Sequence, residues 1–75
     1  MAKPYKFREV VKKLKAYDKR FEVHHGKGSE RIIYHPDIEG RAASIPVKCH
    51  GENTELRKGV ISDVIRRFRL PPGVL

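Results

Sequence analysis

Two stretches of the chain repeat their apolar residues at helical spacing, and residues at that spacing share one face of an α-helix. The first stretch contains Phe7, Val10, Val11 and Leu14. The second contains Leu56, Val60, Ile61, Val64, Ile65 and Phe68. We expect the first helix to begin at or just after Pro4, which suits a first turn, and to end at Asp18. We expect the second to start near Gly59 and to stop before the Pro-Pro-Gly run at 71–73.

Between these helices the apolar period falls to two, which is typical of strands. Residues 21–24 predict one strand, and residues 31–35 predict a second that ends at Pro36. Residues 43–49 predict a third strand with one buried face. The compositions of 26–29 and 37–41 indicate turns. Because Pro46 has no N–H, we expect the third strand to lie at a sheet edge or to be distorted there.

The resulting prediction is an α+β fold: a helix, a three-stranded antiparallel sheet and a second helix, in a single domain over 1–75 with its core at about 6–70. Two helices of this length cover one face of such a sheet, so the other face stays open to solvent, RNA or a protein. The outline is similar to double-stranded-RNA-binding domains, although an outline alone does not establish function. A chain of 75 residues has a thin core and works on its surface or in a shallow cleft.

Charge narrows the choice of partner. The chain has 17 Lys and Arg against 9 Asp and Glu, a formal net charge of +8. Residues 1–20 carry 8 basic and 2 acidic side chains, residues 21–55 carry 4 and 6, and residues 56–75 carry 5 and 1. The surplus therefore falls on the two predicted helices. It indicates a polyanionic partner, which is a nucleic acid, an acidic protein or an anionic membrane.

Several classes of protein are disfavoured. The lone cysteine, Cys49, excludes an intrachain disulfide framework. One thiolate beside His50, without regular Cys/His spacing, argues against a zinc site. The chain contains no apolar run of membrane-spanning length and no signal-peptide pattern near its start. We expect a cytoplasmic protein that uses no membrane, metal or small-molecule cofactor.

Three stretches together resemble the HicA-like (YcfA-like) family of mRNA-cleaving toxins. Residues 8–14 resemble its opening helix. Lys27-Gly28-Ser29, followed by Tyr34-His35-Pro36, resembles its Gly-Ser-His strand and its aromatic-His-Pro sequence. Residues 45–50, with Leu56, Gly59 and Ile65, are similar to its Pro-x-x-His, Leu-x-x-Gly and closing helix. The resemblance spans about 8–70, and it is carried by the order and spacing of these motifs.

The resemblance implies a metal-independent endoribonuclease toxin that is neutralised by a HicB-like antitoxin. The family's catalytic histidine follows the Gly-Ser pair, and here that position is Glu30. Cleavage needs a base for the 2′-hydroxyl, a proton for the departing 5′ oxygen and positive charge at the phosphate. A glutamate with a reference pKa of about 4.3 serves as a base but is a poor proton donor. We therefore expect His24 or His25 to supply the proton.

The residues expected to contact RNA are Lys27, Gly28, Ser29, Arg31, Tyr34, Arg66 and Arg67. Lys27 and Arg31 flank Glu30 and would offset its repulsion of phosphate, while Tyr34 would stack on a base. We expect His35 to form a structural hydrogen bond. Two alternatives stay open. In the first, the chain is a non-catalytic RNA-binding module on which Glu30 is an ordinary exposed residue. In the second, the chain only binds an antitoxin through its basic surface.

Overall fold

The predicted α+β fold is confirmed. A computed structural model describes residues 5–51 and 53–75. Its elements, in chain order, are β1 (Tyr5–Lys6), α1 (Phe7–Tyr17), β2 (Glu22–His25), β3 (Glu30–Ile38), β4 (Arg41–Lys48), β5 (Glu55–Leu56) and α2 (Lys58–Arg67). Strands β2, β3 and β4 form the three-stranded antiparallel sheet in that order.

Helix α1 begins where the sequence provides a partner for its first backbone groups. The Lys6 N–H donates to Glu9 Oε1 at 2.9 Å, so the backbone N–H of the residue that precedes the helix has a hydrogen-bond partner. The helix ends where the Asp18 N–H donates to the Leu14 carbonyl at 2.8 Å, which confirms its predicted end. Pro4 lies outside the described residues.

The sheet has one packed face and one open face, because side chains alternate along each strand. On the packed face Val23, Ile33 and Ile45 share one row across the three strands, with α1 and α2 above them. The buried apolar core is Phe7, Val10, Leu14, Phe21, Ile33, Ile45, Val47, Cys49, Leu56, Ile61, Val64, Phe68 and Leu70. We call the other side the open face, which consists of Glu22, His24, Glu30, Ile32, Tyr34, Ser44, Pro46 and Lys48.

The strands differ from the prediction at their ends: β2 lies one residue later, β4 begins two residues earlier and ends one residue earlier, and β3 differs most. Strand β3 does not end at Pro36 but continues to Ile38, and its pairing with β4 shifts between His35 and Ile38. A bulge leaves backbone groups out of the ladder, so proline is tolerated there even in a central strand. The following turn is correspondingly tight, with Glu39 and Gly40 both at positive φ.

Strands β1 and β5 were not predicted, and they form a separate two-residue ladder. Leu56 was assigned to the second helix but lies in β5, and α2 starts at Lys58, one residue before Gly59. The expectation for Pro46 is confirmed, because β4 is an edge strand of the sheet. Within the described residues, no helix is both long and apolar enough to cross a membrane.

Candidate nucleic-acid interface

Glu30 is the first residue of β3, and its side chain lies across the glycine that faces it. The Gly26 N–H donates to the Glu30 carbonyl at 2.9 Å. A Cβ atom placed on Gly26 would lie 2.7 Å from Glu30 Oε1 and 3.0 Å from Glu30 Cβ. A side chain at position 26 would therefore displace the Glu30 carboxylate from the position that it has here. Gly26 was not among the predicted site residues, because turn composition alone does not reveal which residue a glycine faces.

Lys48 is the second residue that the sequence analysis missed. It pairs with Glu30 in the register of β3 and β4, so the two side chains leave the open face next to each other. Among the described residues, no salt bridge within 4.0 Å joins them and no hydrogen bond reaches the Glu30 carboxylate. Lys48 can be identified only from the register of β3 and β4. The local sequence pattern does not specify how two strands joined by a turn are aligned.

The two candidate histidines lie apart from Glu30. His24 shares the open face, but its Nε2 lies 3.0 Å from Glu22 Oε1, and its ring meets Tyr34 edge-to-face at 5.6 Å between centroids. His25 pairs with Arg31 on the opposite face. His24 therefore lies one row along the sheet from Glu30, and Tyr34, which its ring meets, lies one row further. Neither histidine contacts the Glu30 carboxylate.

The turn between β2 and β3 carries three of the predicted RNA-binding residues. Lys27 is exposed and Gly28 has a φ of 57°, a conformation that favours glycine. The Ser29 carbonyl accepts a hydrogen bond from the Cys49 N–H at 2.9 Å, which ties the turn to the end of β4. Arg31 is half-buried on the packed face, and its guanidinium donates to the Glu30 carbonyl at 3.2 Å.

Arg66 and Arg67 lie at the end of α2, beside the middle of β4 and away from the β2–β3 turn. They line an open groove whose other residues are Ile45, Pro46, Asp63 and Arg69. We call it the arginine groove. Arg66 Nη2 lies 3.2 Å from Asp63 Oδ1, and Arg69 Nε lies 2.6 Å from Glu39 Oε2. Both pairs are well exposed, so each contributes little to stability.

His35 has a structural role, as expected. It is 1% exposed, its Nε2 lies 2.9 Å from Asp18 Oδ2, and its Nδ1 accepts the Asp37 N–H at 3.0 Å. Arg20 donates to both Asp18 oxygens and lies 3.6 Å from Asp37. The hydrogen bonds from the Arg20 side chain, then from its backbone, then from His35, hold the pKa of Asp18 well below its usual range.

The remaining candidates for metal binding are engaged locally. Cys49 is buried and its thiol donates to the Gly51 carbonyl at 2.7 Å, while the His50 N–H donates to Thr54 Oγ1 at 3.0 Å. Among residues 5–51 and 53–75 there is no group of three or more Cys, His, Asp or Glu side chains arranged to hold a metal ion.

The arrangement places Glu30 and Lys48 in one cross-strand row of the open face, with the Glu30 carboxylate over Gly26, and a set of arginines at the adjacent sheet edge. Such a surface can take a proton from a hydroxyl and can bind phosphate. Comparisons with protein-family models, with curated proteins and with solved structures found no match for this chain.

Proposed function

We propose that the chain is a HicA-like toxin that binds RNA and cleaves mRNA without a metal ion, with Glu30 as the general base. The observation that carries the proposal is the pairing of Glu30 with Lys48 on the open face of a strongly basic protein. The resemblance over residues 8–70 adds the class of activity and the expected partner, a HicB-like antitoxin.

The proposed reaction uses the residues as follows. Glu30 takes the proton of the 2′-hydroxyl, and that oxygen attacks the adjacent phosphorus while the bond to the 5′ oxygen breaks. Lys48, rather than Arg31 on the opposite face, offsets the negative charge that grows on the phosphate. His24 is the histidine on the same face, and it would deliver the proton to the leaving oxygen only after turning away from Glu22.

The test measures cleavage of an RNA oligonucleotide in EDTA. Glu30→Gln keeps the shape and removes the base, so cleavage should fall by about 10²–10⁴. Glu30→His introduces the histidine of the family's motif at this position and should retain or raise the cleavage activity. Glu55→Gln makes the same substitution at an exposed strand residue in β5, so it is the control and should cleave like wild type. If wild type and Glu30→His are folded and neither cuts RNA, the catalytic proposal is wrong.

A second candidate is a non-catalytic RNA-binding module on the same fold. The contacts of His24 favour this candidate, because they hold the histidine against Glu22 and Tyr34 and not near Glu30. One comparison distinguishes the two candidate functions. Binding of a 2′-O-methyl oligonucleotide, which lacks the attacking hydroxyl, is expected for both, whereas cleavage of the matching RNA is expected only for the toxin.

A further inference from the structure

The arginine groove borders the open face through one shared residue. Pro46 lines the groove and also belongs to the open face, where it pairs with Ile32. Glu30 lies two residues before Ile32 on the same strand, so Pro46 is its diagonal neighbour, at about 7–8 Å. A ligand that fills the groove therefore reaches the row of Glu30 and Lys48 by crossing a single residue.

The free edge of β4 suits phosphate better than an added protein strand. The Cys49 N–H points to β3, so by alternation the backbone groups of Ser44, Pro46 and Lys48 point away from the sheet. Pro46 has no N–H to donate at the centre of that edge, and a proline there hinders pairing with another strand. The donors offered along the groove are instead guanidinium groups, which bind phosphate in bidentate fashion.

The groove holds three guanidiniums and already pairs two of them with carboxylates of the chain itself. Arg66 is paired with Asp63 and Arg69 with Glu39, while Arg67 has no ion-pair partner among the described residues. The paired side chains are 59–79% exposed, so the carboxylates exchange readily for an incoming phosphate. Both carboxylates thus hold guanidinium groups at the positions where a phosphate would bind.

We propose that the arginine groove holds backbone phosphates of the same single RNA strand whose cleaved nucleotide lies at Glu30. This inference rests on the proposed function and extends it, because it assigns a second subsite and requires a substrate longer than a dinucleotide. Arg67 and Arg69 grip the strand beside β4, and Glu39 competes with it for Arg69.

The test uses a fluorescent 2′-O-methyl oligonucleotide of about eight nucleotides, within the usual range for single-strand sites, and a matching dinucleotide. Arg67→Ala should weaken binding of the longer ligand by about tenfold, the effect of one charge-assisted hydrogen bond. It should also lower the log–log salt slope by about 0.7, the value for one phosphate contact. Binding of the dinucleotide should not change. Glu39→Gln should tighten binding of the longer ligand.

Lys19→Ala is the control, since Lys19 is exposed in the turn after α1 and its loss removes the same single charge. If wild type binds the longer ligand and Arg67→Ala loses no more affinity than Lys19→Ala, the groove is not a subsite and the inference is wrong. If wild type binds neither ligand, the proposed function itself fails. Equal losses on both ligands would also overturn the inference, because they would indicate a general effect of charge.

Discussion

Asp18 shows how a single polar residue can be structural in a protein this rich in charge. Its carboxylate accepts from the Arg20 side chain, from the Arg20 N–H and from the His35 ring. His35 is buried against Phe21, with 4.6 Å between ring centroids, so the carboxylate orients a ring that forms part of the core. The histidine of the His-Pro pair thus stabilises the end of the sheet opposite the β2–β3 turn.

We predict that Asp18→Asn lowers the melting temperature by a few degrees at neutral pH, because the amide presents an N–H₂ group where only acceptors fit. The pKa of Asp18 is depressed in the folded state, so this carboxylate stabilises the fold above its unfolded pKa of about 3.9. That stabilisation is lost as the pH falls below this value. Thermal melts of wild type and Asp18→Asn should therefore converge in acid.

The control for this prediction is Asp63→Asn, because Asp63 is 59% exposed and Arg66 is its ion-pair partner among the described residues. Its melting temperature should stay close to that of wild type at every pH. A gap between wild type and Asp18→Asn that stays constant down to pH about 2 would show that the ionised carboxylate is not the stabilising species.

At the scale of elements, the end of α2 carries an unusual residue. Leu70 N–H donates to the Ile65 carbonyl at 3.0 Å, and Arg69 N–H donates to the Arg66 carbonyl at 3.4 Å, as in a Schellman motif. The left-handed position of this motif usually holds glycine, but here it is Arg69, with a φ of 50°. Glu39, its ion-pair partner, has a φ of 53°. Arg69 lines the arginine groove and Glu39 pairs with it, so both departures from glycine place a charged side chain where the inferred subsite would use it.

We predict that Arg69→Gly is more stable than Arg69→Ala by about 1 kcal/mol, since both lose the ion pair but only alanine keeps a Cβ in the left-handed region. Denaturant melts of the two variants measure the difference. Equal stabilities, or a more stable alanine variant, would contradict a left-handed conformation at Arg69.

The elements themselves were largely predictable from sequence, whereas their registers were not. Helical spacing located α1 and α2 to within a few residues, and Pro46 correctly indicated an edge strand. The pattern did not predict that β3 passes through Pro36, because a bulge depends on the partner strand. The pairing of Glu30 with Lys48 and the contact of Glu30 with Gly26 depend on tertiary register, whereas chain order suggested only Lys27 and Arg31 as cations near Glu30, and Arg31 lies on the opposite face.

Over the whole molecule, charge and chemistry lie on different surfaces. On the open face Glu22 and Glu30 outnumber Lys48, so the face that contains the proposed base is not itself strongly positive. The basic surplus lies instead on residues 1–20 and 56–75, which contain the helices of the other face. The molecule measures 31 × 30 × 19 Å, so a strand that rounds the edge at β4 stays close to both surfaces. For the proposed RNA strand, the edge is therefore a better site than either face alone.

Binding at such an edge should be electrostatic in its main contribution, and this predicts a steep dependence on salt. Each phosphate that a Lys or Arg neutralises on a single strand contributes about 0.7 to the slope of log affinity against log salt concentration. Contacts to four or five phosphates would give a slope of about 3, measured by fluorescence anisotropy with a 2′-O-methyl oligonucleotide at a series of potassium chloride concentrations. An affinity that hardly changes between low and physiological salt would argue against RNA as the ligand. That result would instead favour an acidic protein as the partner, because the same arginines would also bind its carboxylates.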